Sequence, residues 1–353
     1  MSQVVTLEQL KKLAADKLSA GARVVAPVVD GGLVSFKEIS AAAQATFAPQ
    51  VRVQNSIKEF FFPKHEVIFT FVRKGNDVEV IDAPDFEDDQ IIIGARPCDA
   101  AALPILDPLF GWDYQDRFFQ QRRAKTTVVT FACKETDAHC FCAAVDGGPD
   151  NQAGSDAMLF DLGDGSFEVR TFTDKGAALF AGIATESDKT GSACAPPTCD
   201  FDVEKVAVWI TENFASPEWE KLSLRCVGCG ACAYVCPTCH CFDIVDEGSY
   251  SKGQRVKNWD ACQAGMFTLH ASGHNPRSTQ GKRQRQRLTH KFSIYPGKFG
   301  PYLCTGCGNC SRSCGASFGV RPALETLNAD VVQKQDADVV QKQEADVVQK
   351  QED

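Results

Sequence analysis

Read for its alternation of apolar and polar positions, the chain divides into two textures. Thr6 followed by Gln9 has the form of a capping box; Leu7, Leu10, Leu13 and Leu18 fall on roughly one helical face, and Gly21 offers a stop. That spacing predicts a first helix between Thr6 and Gly21. Runs rich in apolar and β-branched residues follow at 23–29, 67–72, 78–81, 90–94 and 126–131, with helix-like or loop segments between several of them. Such alternation predicts a mixed α/β layer. Runs at 158–160 and 167–172 flank Asp164-Gly165 and read as a hairpin. Helical stretches at 201–214 and 216–224, the second opened by Ser216-Pro217, close this half.

From Arg225 to about Val320 the periodicities give way to cysteine, glycine and short turns. The expected organisation is α+β: a mixed α/β domain over 1–215, a cysteine-rich domain over 216–325, and a tail over 326–353. From Ala329 the tail repeats an octapeptide, ADVVQKQD, ADVVQKQE, ADVVQKQE. An eight-residue period drifts off any helical face, so a poorly packed or disordered tail is expected, with an oligomerising helix as the alternative.

Composition narrows the classes. A chain of 353 residues is long enough for one large or two medium cores. A formal charge of −9 argues against a general nucleic-acid binder. No apolar run reaches the roughly 18 residues of a membrane span, and the N-terminus shows no apolar signal core. A soluble, unexported, cytoplasmic protein is expected. Cysteine is the outlier: seventeen, an odd number, without a secretion signal. In a reducing compartment clustered thiols read as metal ligands rather than as a disulfide scaffold.

Cys226, Cys229, Cys232 and Cys236 stand as C-x2-C-x2-C-x3-C, with Pro237 after the last, and Cys304, Cys307, Cys310 and Cys314 repeat the spacing. Three thiolates on a tight loop can reach three irons of one cubane, while the fourth points away to the other cluster. The spacing therefore predicts an interrupted bacterial-ferredoxin-like unit with two 4Fe–4S clusters. Cys226, Cys229, Cys232 and Cys314 would hold one, and Cys304, Cys307, Cys310 and Cys236 the other. Gly228, Gly230, Gly306 and Gly308 keep the loops small and free backbone N–H groups to face sulfur. Structural zinc sites, which pair two C-x2-C units across a longer loop, fit this spacing poorly.

Residues 237–303 form a long insert between the motifs. It holds Cys239 and Cys241 in CPTCHC and Cys262 in WDAC, expected as buried thiols around a cluster or as further metal ligands. His240 reads as a local hydrogen-bonding residue. A basic run of Arg277, Lys282, Arg283, Arg285, Arg287, His290 and Lys291 is expected as a solvated face or a dock for an acidic partner; arginine near the clusters would also offset their charge. In the N-terminal half, Cys98 and Cys133 each follow a predicted strand, where α/β sheets place ligands. With Cys140 and Cys142 they form a candidate third metal centre or cluster, the alternative being structural thiols. Cys194 and Cys199, in a Pro-rich loop, look incidental.

Taken together, FFFPKHEVIF, GARPCDAAAL, CKETDAHCFC, the two four-cysteine motifs, CPTCHCFD, WDAC and RQRLTHKF resemble a family of iron–sulfur subunits. That family contains the iron–sulfur component of anaerobic sulfite reductase and the beta subunit of sulfhydrogenases. The resemblance runs from about Val24 to Val320; Gly315 departs from its pattern, where proline commonly follows the fourth cysteine, and the octapeptide tail lies outside it. It implies an electron conduit in a cytoplasmic complex of an anaerobic metabolism, between a flavin-containing NAD(P)H-oxidising partner and a terminal reductase or hydrogenase. The cysteines themselves show no catalytic constellation beside them, and no dinucleotide fingerprint follows a strand. Electron transfer is thus the expected role, with the hard chemistry left to a partner's cofactor. A self-contained reductase with a substrate site in the N-terminal domain, and a zinc-containing nucleic-acid binder, are the alternatives.

Overall fold

A computed structural model describes residues 2–50 and 52–329; the octapeptide repeat beyond Ala329 lies outside the described residues. The expected capping box is present. Thr6 Oγ1 accepts from the Gln9 amide at 3.2 Å, and Gln9 Oε1 accepts from the Thr6 amide at 2.8 Å. The helix they open, Leu7–Ser19, buries Leu10, Leu13 and Ala14.

The described residues form twelve strands. They are β1 (Ser2–Thr6), β2 (Arg23–Asp30), β3 (Leu33–Ile39), β4 (His65–Lys74), β5 (Asp77–Asp82), β6 (Gln90–Ala95), β7 (Thr126–Phe131), β8 (Ala157–Asp161), β9 (Ser166–Thr171), β10 (Thr185–Ser187), β11 (Phe242–Gly248) and β12 (Lys252–Trp259). All the strand runs read from the sequence are among them. Strands β1, β3, β10, β11 and β12 were not legible, being short, polar in alternation, or hidden in cysteine-rich surroundings.

Eight strands form one mixed sheet in the order β10-β1-β9-β8-β7-β6-β2-β3. Its centre is parallel: β2 with β6, β6 with β7, and β7 with β8. Strand β6, QIIIGA, is buried along its whole length, as a central parallel strand covered on both faces must be. Gly94 lets it kink before its end. The glycine has φ +99°, the pairing with β7 shifts register there, and an added Cβ would lie 2.8 Å from Pro27 Cδ. The chain then turns directly into the short helix Pro97–Ala100, which carries Cys98.

The second sheet runs β11-β12-β4-β5 and is antiparallel throughout. Two of its strands precede residue 216 and two belong to the insert, so this sheet bridges the expected domain boundary. Trp259 seals the junction: its amide donates to the Lys64 carbonyl at 2.9 Å, its indole Nε1 to the Phe62 carbonyl at 3.0 Å, and its ring stacks on Phe62. The architecture is α+β, with helices packed on the large sheet and on the cysteine-rich region.

Removing the capping hydroxyl should cost what such caps usually contribute. Thr6→Ala is expected to lower unfolding stability by about 1 kcal/mol, read as a lower denaturant midpoint of the full chain. An unchanged midpoint would mean the box contributes nothing to folding.

Candidate functional site

Two loops of the same shape carry the repeated cysteines. Gly228 and Gly230 in the first, and Gly306 and Gly308 in the second, take left-handed backbone, with φ of +71°, +77°, +63° and +75°. Residues with a Cβ rarely adopt this conformation, so glycine lets each loop curl back with its amides inward. Each loop runs into a single helical turn, Ala231–Tyr234 or Asn309–Arg312, and the two turns pack on each other. Cys236 leaves its own loop and, with Cys304, Cys307 and Cys310, lines a single cavity walled by Phe141, Lys291 and Val320. On the other side Cys226 and Cys232 lie near each other and, with Cys314, pack against the apolar cluster that contains Trp209, Trp219 and Leu324. Cys229 is exposed.

Donors converge on these sulfurs. Cys226 Sγ accepts from Gln280 Nε2 at 3.1 Å and Gln284 Nε2 at 2.9 Å. Lys291 Nζ donates to Cys236 Sγ at 3.4 Å, and the Val320 amide to Cys310 Sγ at 3.4 Å. Burial pushes the Cys232 and Cys304 thiols up to about 11, opposed by Arg287 at the first and Lys291 at the second. Thiols held this way ionise at neutral pH only with a strong electropositive partner, which cluster iron would supply. Among the described residues no three His, Cys, Asp or Glu side chains converge closely enough to hold one metal ion. Cubane ligands, by contrast, each bind a separate iron.

The basic run corrects one expectation. It is not simply a solvated face: Arg287 is 3% exposed and Lys291 2% exposed, both turned inward. Burial works against the Lys291 ammonium, but Cys236, Cys239 and Cys304 more than offset it and hold its pKa above the ordinary value. Arg287 Nη2 donates to the Cys232 carbonyl at 3.4 Å. Gln280, Gln284, Arg287 and Lys291 are spaced four, three and four residues apart, one face of a helix. That polar stripe was the available signal, and sequence reasoning missed its glutamines. It also missed Lys58, 2% exposed, which donates to the Cys239 carbonyl at 2.7 Å beneath the Trp259 ring.

Of the insert thiols, Cys239 pairs with the motif cysteine Cys236, and Cys241 pairs with Cys262. His240 is a local hydrogen-bonding residue, as expected: its Nδ1 lies 3.0 Å from the Thr238 carbonyl, and burial with nearby His290 pushes its pKa down to about 3. In the N-terminal half, Cys98, Cys133, Cys140 and Cys142 are brought within electrostatic reach of one another. Cys194 is not incidental, since its amide donates to the Cys133 carbonyl at 2.8 Å. Cys199 lies apart, near Arg321.

Against known proteins, the family described as the 4Fe-4S dicluster domain matches residues 225–318, which span both repeated loops and the insert. The chain is an iron–sulfur protein with a 4Fe–4S dicluster domain. It is also 26% identical over 332 residues to sulfhydrogenase 2 subunit beta of Pyrococcus furiosus, a likeness covering 90% of this chain and 96% of that one. Both matches support the family of iron–sulfur subunits that the motifs resemble. No solved structure matches. Among the described residues no helix is long and apolar enough to cross a membrane.

Asp137 fastens the N-terminal cysteine loop to the dicluster domain. Its carboxylate accepts from Arg312 Nε at 2.7 Å and Nη2 at 3.1 Å. Partial burial raises its pKa, but Arg312, then the His139 amide and then Arg52 outweigh this and hold it below the usual carboxylate range. A depressed carboxyl contributes stability above its unfolded pKa near 4 and loses it as pH falls through the folded value. Asp137→Asn should therefore lower stability at neutral pH and flatten its decline below about pH 4, measured as thermal midpoint against pH. A parallel decline in both proteins would remove Asp137 from the acid response.

Proposed function

We propose that the chain is an electron-transfer subunit relaying single electrons through two 4Fe–4S clusters. Cys226, Cys229, Cys232 and Cys314 would hold one cluster, and Cys304, Cys307, Cys310 and Cys236 the other. The observation that carries this reading is the single cavity lined by Cys236 together with the three loop cysteines of the other motif. A cubane, when bound, takes up and releases one electron at a time with little rearrangement. The chain's residues supply the setting: the loops fix the sulfurs, Gln280 and Gln284 donate to Cys226, and Lys291 places a fixed positive charge at Cys236.

The beta-subunit name of its relative supports membership of a larger assembly. In this reading one partner is a flavoprotein that oxidises NAD(P)H and the other a terminal reductase or hydrogenase, all in the reducing cytoplasm, where the seventeen free thiols persist. Nucleic acid has no part in it, since the inward residues of the basic run face sulfur.

Anaerobic purification of the full chain should give at least about eight irons and as many acid-labile sulfides per polypeptide, with the EPR of interacting reduced clusters after dithionite. Zinc without iron in freshly prepared protein would sink the reading. A second measurement addresses the buried ammonium. Lys291→Met should lower the midpoint potential of one cluster by on the order of 100 mV, the scale of one charge about 4 Å away at an effective dielectric near 20, while Lys291→Arg largely keeps it. Equal potentials in all three proteins would deny Lys291 this part.

A further inference from the structure

Four cysteines outside the repeated motifs meet where the parallel strands end. Strand β6 delivers Cys98 on the turn after its Gly94 kink, and β7 delivers Cys133 just past Phe131. Because β6 and β7 are parallel neighbours, both arrive at the same edge of the sheet. Cys140 and Cys142 come from the loop that follows. Cys98 is within electrostatic reach of Cys133 and Cys142, Cys133 of Cys194 and Cys140, and Cys142 of Cys133 and Cys140.

Buried thiols that merely fill space behave as small hydrophobes and need no charged neighbours. These are set among guanidiniums. Arg312 Nη2 donates to Cys140 Sγ at 3.3 Å, Arg52 Nη1 lies 3.7 Å from the same sulfur, and Arg96 donates to Cys133. Asp137, 3.4 Å from Cys140 Sγ, and the buried Asp99 beside Cys98 balance only part of that charge. Three guanidiniums against two carboxylates are the surroundings of thiolates that carry negative charge of their own.

The group also abuts the second motif. The Phe141 amide donates to the Gly306 carbonyl at 2.9 Å. A Cβ on Gly306 would stand 2.5 Å from the Cys142 backbone, and one on Gly308 would stand 2.6 Å from the His139 carbonyl. Cys98 and Cys142 share a cavity with Cys304, and Cys98 lies within electrostatic reach of Cys307.

The geometry points to a third 4Fe–4S cluster, held by the thiolates of Cys98, Cys133, Cys140 and Cys142 beside the cluster of the second motif. This rests on the dicluster reading above and extends the relay to the edge of the large sheet. Clusters bound here would exchange single electrons with no bond formed or broken, and Arg52, Arg96 and Arg312 would hold the added charge without a proton. Cys194, whose amide donates to the Cys133 carbonyl at 2.8 Å, borders this site.

The test compares iron and sulfide counts and reduced EPR spectra of the anaerobically purified full chain, the Cys133→Ser/Cys142→Ser variant and Cys194→Ser. Expected are about twelve irons in the wild type and in Cys194→Ser, and about eight in the double variant with the spectrum of two interacting clusters intact. About eight irons in the wild type, or about twelve retained in the double variant, would overturn the third centre and leave the dicluster reading standing. Iron-free wild type would overturn both. Should the double variant fail to fold, the wild-type count together with the loss of about four irons in Cys98→Ser decides.

Discussion

Buried positive charge facing buried sulfur is the interaction on which the cysteine-rich region turns. Lys58, Arg287 and Lys291 are withdrawn from water, and their hydrogen-bond partners are carbonyls, one hydroxyl and a sulfur. An ammonium or guanidinium taken from water costs several kcal/mol unless opposite charge meets it. Thiolates bound to iron meet that requirement, and neutral thiols do not. Two bound clusters would therefore also account for how the fold tolerates the burial of these cations.

The second constraint is how closely backbone approaches backbone. Gly306 and Gly308 allow the second cysteine loop to touch the chain at His139 and Cys142 with no side chain between. Arg312, on the turn that follows that loop, reaches across to Asp137 and Cys140. The second sheet also joins the same two halves by pairing β12 with β4. The N-terminal α/β layer and the ferredoxin-like loops are thus one packed body, and the cysteines of the layer are held against those of the loops.

Local signals in the sequence were reliable where the physics is local. The capping box at Thr6, the apolar run of β6 and the Asp164-Gly165 hairpin all depend on residues a few positions apart, and each is present. The repeated four-cysteine motifs are local in the same sense: each short segment carries its own loop, glycines and helical turn. Strands β11 and β12 form a hairpin with each other, but β11 is almost wholly exposed and β12 largely polar. Only the pairing of β12 with β4, far away along the chain, ties them into a sheet. The stripe Gln280, Gln284, Arg287 and Lys291 was visible as a helical face, but a polar face ordinarily turns to water. Only the sulfur opposite it reverses that preference.

The sequence by itself determined the two cysteine loops and most of the parallel core, because spacing, glycine and apolar runs act over short distances. Tertiary structure alone decided that Cys98 and Cys133 meet Cys140 and Cys142, that Lys58 reaches the Cys239 carbonyl, and that Arg287 and Lys291 of the basic run face inward. Those outcomes follow from strand order, register and close approach between segments far apart along the chain, which no short-range pattern encodes.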